Sequence, residues 1–379
     1  MKFRFDITLA LLCLLSAANA QAQQPAYIIQ DLGTLGGGTS GASAINSSGE
    51  VVGDSYTANG SQRPFVYRNG VMQDLGTLYG PQGFQPPYPP GDRGAAYAIS
   101  DNGLIVGTTY KYKLINPVTV QYYNPGFRYS NGTMTEFDSG SILGVNNAGQ
   151  SVGSNYFPVN GTANGSRASL YSNGVETDLG LGDGSTANAI NNHGQIVGEA
   201  SNYGPFLYQN GAPQKLGWPA GYDGGQAHAI SENGLVAGSD FKSDGTLSGQ
   251  THAALWKNGQ AFDLGTLGGK NSTAYGVNSA GVVVGEADRN LVNQLQSTAF
   301  VYENGAMYDL FAGTGWSGGS ASAINDAGQI VGTGLYNGAI RAFLATPVAA
   351  QTPEPGAFAS IGAGLLVFGG LLRRRVRAA

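Results

Sequence analysis

A closed ring of seven blades, each a four-stranded antiparallel sheet, is the architecture the sequence predicts. Three observations carry that prediction. A twelve-residue core, "ASAINSSGEVVG" at residues 42–53 and "ASAINDAGQIVG" at residues 321–332, occurs seven times, with closing glycines 54, 46, 45, 40, 47 and 47 residues apart. A second motif, "FVYRNGVMQDLG" at residues 65–76, follows the core and occurs six times. A lone strand of the second type, "YIIQDLG" at residues 27–33, precedes the first core. A period near 47 residues holding two hairpins is the size of a propeller blade.

The core encodes the first hairpin of each blade. In the first copy a short apolar strand (Ala44, Ile45) meets Asn46, two small or polar residues and Gly49, and the strand Val51-Val52-Gly53 follows. Asn bonds its own backbone and Gly takes positive φ at low cost, which together make a tight loop. This reading gives the recurrent Asn and Gly a turn role and no ligand role.

The second motif encodes the second hairpin through Asn69-Gly70, Asn131-Gly132, Asn173-Gly174, Asn210-Gly211, Asn258-Gly259 and Asn304-Gly305. Asn-Gly between apolar runs is a strong hairpin signal. The last unit stops at "RAFLATPV", after its third strand, so the lone N-terminal strand is expected to complete the last blade and remove a free edge.

Small residues (Ala44, Gly53, Ala98, Gly107) crowd the first two strands and aromatics (Phe65, Tyr67, Phe127, Tyr129, Phe300, Tyr302) the third, which suits blades converging on an axis. Val282-Val283-Val284 is apolar without alternation, as in a sheet buried on both faces. A β-solenoid is the competing architecture; its usual repeat is shorter, and antiparallel Asn-Gly hairpins oppose it.

Composition agrees. Of 379 residues 61 are Gly and 11% are charged, against a usual glycine share of roughly 7%. Glycine has no period of three, which excludes collagen, and 41% hydrophobic residues suffice for a packed core. Cys13, the single cysteine, lies in the N-terminal apolar run, so the body has no disulfide and no thiolate metal site. Without the two end segments, 13 basic residues face 23 acidic ones, which disfavours a nucleic-acid partner.

The ends read as export signals. Residues 1–22 have basic residues, an apolar run from Ile7 to Leu15 and small residues at Ala18-Asn19-Ala20 and Ala20-Gln21-Ala22, the pattern of a secretory signal peptide. The propeller is expected over residues 26–347 and a linker over 348–356. Residues 357–372 carry no charge and form an expected short transmembrane helix, followed by a basic cytoplasmic tail at 373–379 with Arg373, Arg374, Arg375 and Arg377. Sixteen helical residues reach roughly 24 Å, slightly short of a bilayer core, and the arginines would halt export.

The order Pro353-Glu354-Pro355, short apolar helix, arginine cluster resembles the PEP-CTERM sorting signal of Gram-negative bacteria. The resemblance implies processing near that motif by an exosortase-type membrane enzyme. It also implies an inner-membrane intermediate and delivery to the cell surface or an exopolysaccharide matrix. A plain tail anchor is the competing reading. The body, through "AFVYENG", "DLGTLGG" and "AINDAGQIVG", resembles HAF-type extracellular repeats. Repeat three departs, with Leu170 in place of the aromatic and Ser151 in place of the first valine. That family implies fold and location and supplies no catalytic chemistry.

Strand alternation puts both kinds of Asn turn on one face and the longer, variable connections on the other, where binding usually resides. Tyr79, Phe84, Tyr88, Trp218, Tyr222 and Trp316 are the candidate ligand-face aromatics, suited to stacking on sugars. No catalytic residue, metal site or cofactor is assigned. His193, His228 and His252 lack ligand spacing. The variable-face carboxylates Asp92, Asp183, Asp223, Asp240, Asp244 and Asp288 are read as solvated. The expected function is an exported surface or matrix protein that binds or builds, with extracellular polysaccharide as the expected partner. A secreted propeller enzyme acting on glycans is the alternative.

Overall fold

The structure, a computed structural model, describes residues 24–78, 93–116, 119–137, 140–159, 162–243, 249–291 and 294–348. Contacts divide the chain into a unit of residues 1–346 and one of residues 347–379. Among the described residues the strands form seven four-stranded sheets and one two-stranded sheet. Blades one to six take their strands in chain order, inner to outer, from residues 36–74, 94–137, 141–178, 185–215, 224–263 and 268–309. Within blade two the long connection is a hairpin of its own, Lys111–Asn116 against Thr119–Tyr123.

Blade seven is assembled from both ends of the chain. Trp316–Ile324, Ile330–Tyr336 and Ala339–Pro347 supply three strands, and Tyr27–Asp31 takes the outer place beside the third. Leu32 N–H donates to the Ala342 carbonyl at 3.0 Å, and the Arg341 guanidinium lies 3.6 Å from Asp31. The expected seven-bladed ring with an N-terminal clasp is therefore the observed one.

All six Asn-Gly turns have both residues in the left-handed region, Asn at φ 51–54° and Gly at 75–82°. That is the geometry of a two-residue hairpin whose twist matches its strands. Another such pair, Asn337 (49°) and Gly338 (78°), joins the second and third strands of blade seven on the opposite face.

The small residues of the inner hairpin have a cause beyond the expected taper. In every blade the inner strand slips by one residue, as between Ala42 and Ala44 or Ala227 and Ala229. This bulge pushes a backbone carbonyl against the facing glycine of the second strand. A β-carbon at Gly53 would lie 2.0 Å from the Gly41 oxygen, and one at Gly238 would lie 1.9 Å from the Gln226 oxygen. The closing glycine of the twelve-residue core is thus a steric requirement.

The seven core clusters coincide with the seven seams between neighbouring blades. One joins Phe65, Val51 and Ala42 of blade one to Val331, Ala342 and Leu32 of blade seven; another joins Val197 of blade four to Ala227, Val236, Ala254 and Trp256 of blade five. Phe65, Phe127, Phe206, Phe300 and Phe343 are fully buried at equivalent third-strand positions. In blade three the register sets Ser169 at that position, opposite Gly153, so Leu170 replaces the valine that follows and not the aromatic. The gap at that seam is filled from the side by Tyr171 edge-on to Phe137, centroids 4.3 Å apart.

Candidate functional site

Two places on the ring gather polar chemistry. The first is the axial mouth on the Asn-turn face, a cavity of about 250 Å³ above a ring of Ile and Val side chains. Asn46, Ser100, Asn146, Asn191, Ser231, Asn278 and Asn325 open the seven turns and are all buried. Each asparagine Oδ1 accepts N–H groups of its own turn, as Asn146 does from Ala148 and Gln150. Its Nδ2 donates to the next blade: Asn146 to the Asn191 carbonyl at 3.1 Å, Asn191 to Ser231 at 3.0 Å, and Asn325 across the closure to Asn46 at 3.0 Å.

Asparagine in the core motif is therefore both turn former and blade-to-blade staple, the second role being invisible from the turn alone. The carboxylates at this mouth are engaged the same way. Asp101 accepts from Ser47 N–H, Glu232 from Asn192 and Asp326 from Ser279. Asn146→Ala is expected to lower stability by about 1–2 kcal/mol, the cost of several buried hydrogen bonds lost together. Urea unfolding reads this; an unchanged midpoint would remove the staple role.

The second place is the seam between blades four and five on the variable face, a cavity of about 370 Å³. Lys215, Trp218, Glu199 and Asp223 line it, with the backbone of Gly224 and Gly225. Strand register makes the repeats an internal control for this seam. The outer-strand position held by Asp31, Asp74, Asp178, Asp263 and Asp309 elsewhere is Lys215 in blade four. The third-strand position that holds Arg63, Arg167 and Arg341 is Gly204 in blade four and His252 in blade five. Trp218 fills the space that Gly204 leaves, its Cζ3 3.1 Å from where a β-carbon would stand, and Lys215 Nζ sits 4.6 Å from the indole centroid.

In blade five the substitutions make a hydrogen-bonded cluster. His252 Nδ1 lies 3.0 Å from both Asp263 oxygens, and Tyr222 Oη–H donates to Asp263 Oδ2 at 2.5 Å while standing 2.8 Å from His252 Nδ1. Since the carboxylate only accepts, the imidazole proton sits on Nδ1. Burial opposes ionisation of Asp263, yet the Tyr222, Gly265 and His252 donors hold its carboxyl below the usual range. Burial and the Asp263 bond and charge push the Tyr222 phenol up. This is the place where Arg167 bonds Asp178 at 3.1 Å in blade three, so the His252–Asp263 pair stands where that blade has an arginine–aspartate ion pair.

Asp240 stands next to this cluster, opposite His252 on the second strand. The equivalent residues are Ser55, Thr109, Asn155, Ala200, Ala287 and Gly334, all uncharged. Asp240 is fully buried and, among the described residues, neither carboxylate oxygen has a hydrogen-bond partner. Burial first, and the Asp263 charge second, push its carboxyl up to about 7. Glu199 Oε2 is likewise unpartnered, and burial raises its carboxyl.

The candidate residues named from sequence separate here. Trp218 and Tyr222 lie on the variable face, Trp218 at the cavity and Tyr222 in the adjoining cluster. Trp316 does not belong with them. It is 6% exposed, the first residue of an inner strand, stacked on Tyr336 at 4.7 Å and edge-on to Phe343. Burial against three aromatic neighbours removes it from any ligand face.

Tyr79, Phe84 and Tyr88 lie outside the described residues, as do Asp92, Asp244, the expected signal peptide over residues 1–22, Pro353, Glu354, Pro355, the apolar 357–372 segment and the arginine cluster. Among the described residues no helix is long and apolar enough to cross a membrane. Of the remaining carboxylates read as solvated, Asp183 bonds Arg167, Asp288 accepts from Asn271 and Ser297, and Asp223 accepts Ser243 N–H. Glu199, Lys215, Asp263 and the isolation of Asp240 escaped the sequence reading; position-by-position comparison of the repeats marks Lys215 and Asp240.

Strand pairing thus defines the chain as a closed seven-bladed β-propeller with its most irregular chemistry in one seam. No family model and no curated protein matches the chain. Among solved structures it is similar to the β-propeller domain of the Trilobed protease from Pyrococcus furiosus, described as having an open velcro topology. That likeness has a TM-score of 0.48 and 10% identity, covering 67% of this chain and 83% of that one. The fold of this chain rests on its own strand pairing.

Proposed function

We propose that the chain is an exported cell-surface or matrix protein whose propeller binds or builds outside the cell, sorted by a PEP-CTERM-type signal and processed by an exosortase-type enzyme. The observation that carries this reading is the pair of end segments flanking a closed propeller: an apolar leader over residues 1–22 and the ordered Pro353-Glu354-Pro355, apolar and arginine elements at the other end.

Intact mass of the protein recovered from the cell surface tests the reading. Loss of the leader and a new C-terminus near Pro353 is the expected result; a surface protein retaining Arg373 to Arg377 overturns the processing. A second reading, a secreted enzyme acting on glycans, draws on the raised carboxyls of Glu199 and Asp240, which suit a general acid. Glycan turnover abolished by Asp240→Asn would install it in place of the first.

A further inference from the structure

We propose that the seam between blades four and five is a binding site for a neutral saccharide, with Glu199 as an acceptor for its hydroxyl groups. The inference deepens the reading above, since it rests on the propeller binding a ligand outside the cell. Three independent observations converge on this seam. The first is placement. Val236, Ala254 and Trp256 pack against Val197 across the seam. Asp240 shares the pleat face of Val236, and Glu199 that of Val197, so both carboxylates are turned into the same space.

The second observation is unsatisfied acceptors. Among the described residues Glu199 Oε2, at the cavity, has no donor, and behind the wall residue Gly225 both oxygens of the fully buried Asp240 have none either. Buried acceptors without donors are costly, so a ligand rich in O–H donors gains by supplying them. The third is the departure from repeat. Lys215 stands where other blades hold an outer-strand carboxylate, and Gly204, where three blades hold arginine, admits Trp218 to the cavity wall. An indole edge beside carboxyl acceptors matches a sugar ring, which offers C–H surface and hydroxyls together. Lys215 covers part of the Trp218 face, so the hydroxyl contacts, more than stacking, define the site.

Trp218 and Trp256 both border the seam and provide an intrinsic fluorescence probe. The test titrates the exported protein with a panel of neutral oligosaccharides and, separately, with calcium. The variants are Glu199→Gln, which swaps an acceptor for a donor, and Ser201→Trp, an exposed cavity-wall position where a bulky side chain fills the space without disturbing the core. The expected result is saturable binding of at least one oligosaccharide, weakened tenfold or more by each variant, with thermal unfolding unchanged.

Three outcomes overturn the proposal: no oligosaccharide binds, binding is indifferent to both variants, or only calcium binds. Should Glu199→Gln fail to fold, Ser201→Trp alone decides. A protein that reaches the surface yet binds no saccharide sinks this inference and leaves the proposed export intact. A protein that binds saccharide yet is never exported does the reverse.

Discussion

Removal of residues 24–33 is expected to lower the melting temperature by about 7 °C and to make the protein self-associate. The clasp strand buries Leu32 to 5% exposure in the blade one–seven seam and packs Tyr27 and Ile29 against the blade six–seven core. Burying one leucine stabilises by about 1.5–3 kcal/mol, and two half-buried side chains add a comparable amount. The ladder to Ala339–Pro347 adds roughly 1 kcal/mol per net hydrogen bond. The half-exposed Arg341–Asp31 pair adds little. Offset by the entropy of ordering the strand, the net is about 5 kcal/mol, or roughly 7 °C in a domain of this size.

The truncated ring would also present the free edge of Ala339–Pro347, and unpaired edges recruit other chains. Calorimetry and size-exclusion chromatography read the two effects. Leu32→Ala, which keeps the ladder, is expected to lose part of the stability without self-association. A truncated protein that melts within 2 °C of the intact one, as a monomer, would show that closure contributes nothing.

The clasp was legible because its grammar is local. "QDLG" at residues 30–33 repeats the outer-strand ending of residues 73–76, and the last unit stops one strand short. The Asn-Gly turns were legible for the same reason: only a few residues take φ near +50° at low cost. What depends on neighbouring blades was not legible. The Asn staples need the next blade's carbonyl, and the steric demand on Gly53 needs the bulge at residues 42–44.

Trp316 shows the limit from the other side. A tryptophan in "GTGWSGG" reads as a loop residue, yet Trp316 opens an inner strand and packs against Phe311, Tyr336 and Phe343. The seam between blades four and five is intermediate. Lys215 and Asp240 are exceptions visible in the aligned copies, but their convergence on one cavity follows only from the ring order. Tyr222 was singled out as an aromatic; its bond to Asp263 comes from a connection whose path the sequence does not specify.

Asp240→Asn is expected to stabilise the protein by about 2–4 kcal/mol at pH 8 and to change little at pH 4. The sign follows from the proton. In the unfolded chain this carboxyl ionises near 3.8; in the fold, burial and the neighbouring Asp263 charge raise it to about 7. Between these values the native state holds a proton that the unfolded chain has released. Wild-type stability is therefore fullest below pH 3.8, falls as pH rises through 7, and levels off above. Three units at 1.36 kcal/mol each set a ceiling of about 4 kcal/mol.

Asparagine is uncharged throughout, so the variant lacks this slope while keeping the shape of the side chain. Every other titrating group, including Asp263, His252, Tyr222 and Glu199 around it, is common to both proteins, and their contributions largely cancel in the difference. Chemical denaturation at pH 4, 6 and 8 measures that difference directly. A gap that opens as pH rises means that Asp240 is an unmatched acid in the folded ring, held there at a cost to stability. A flat difference would mean that the carboxylate already has a partner in solution, and that the fold carries no unmatched acid at this seam.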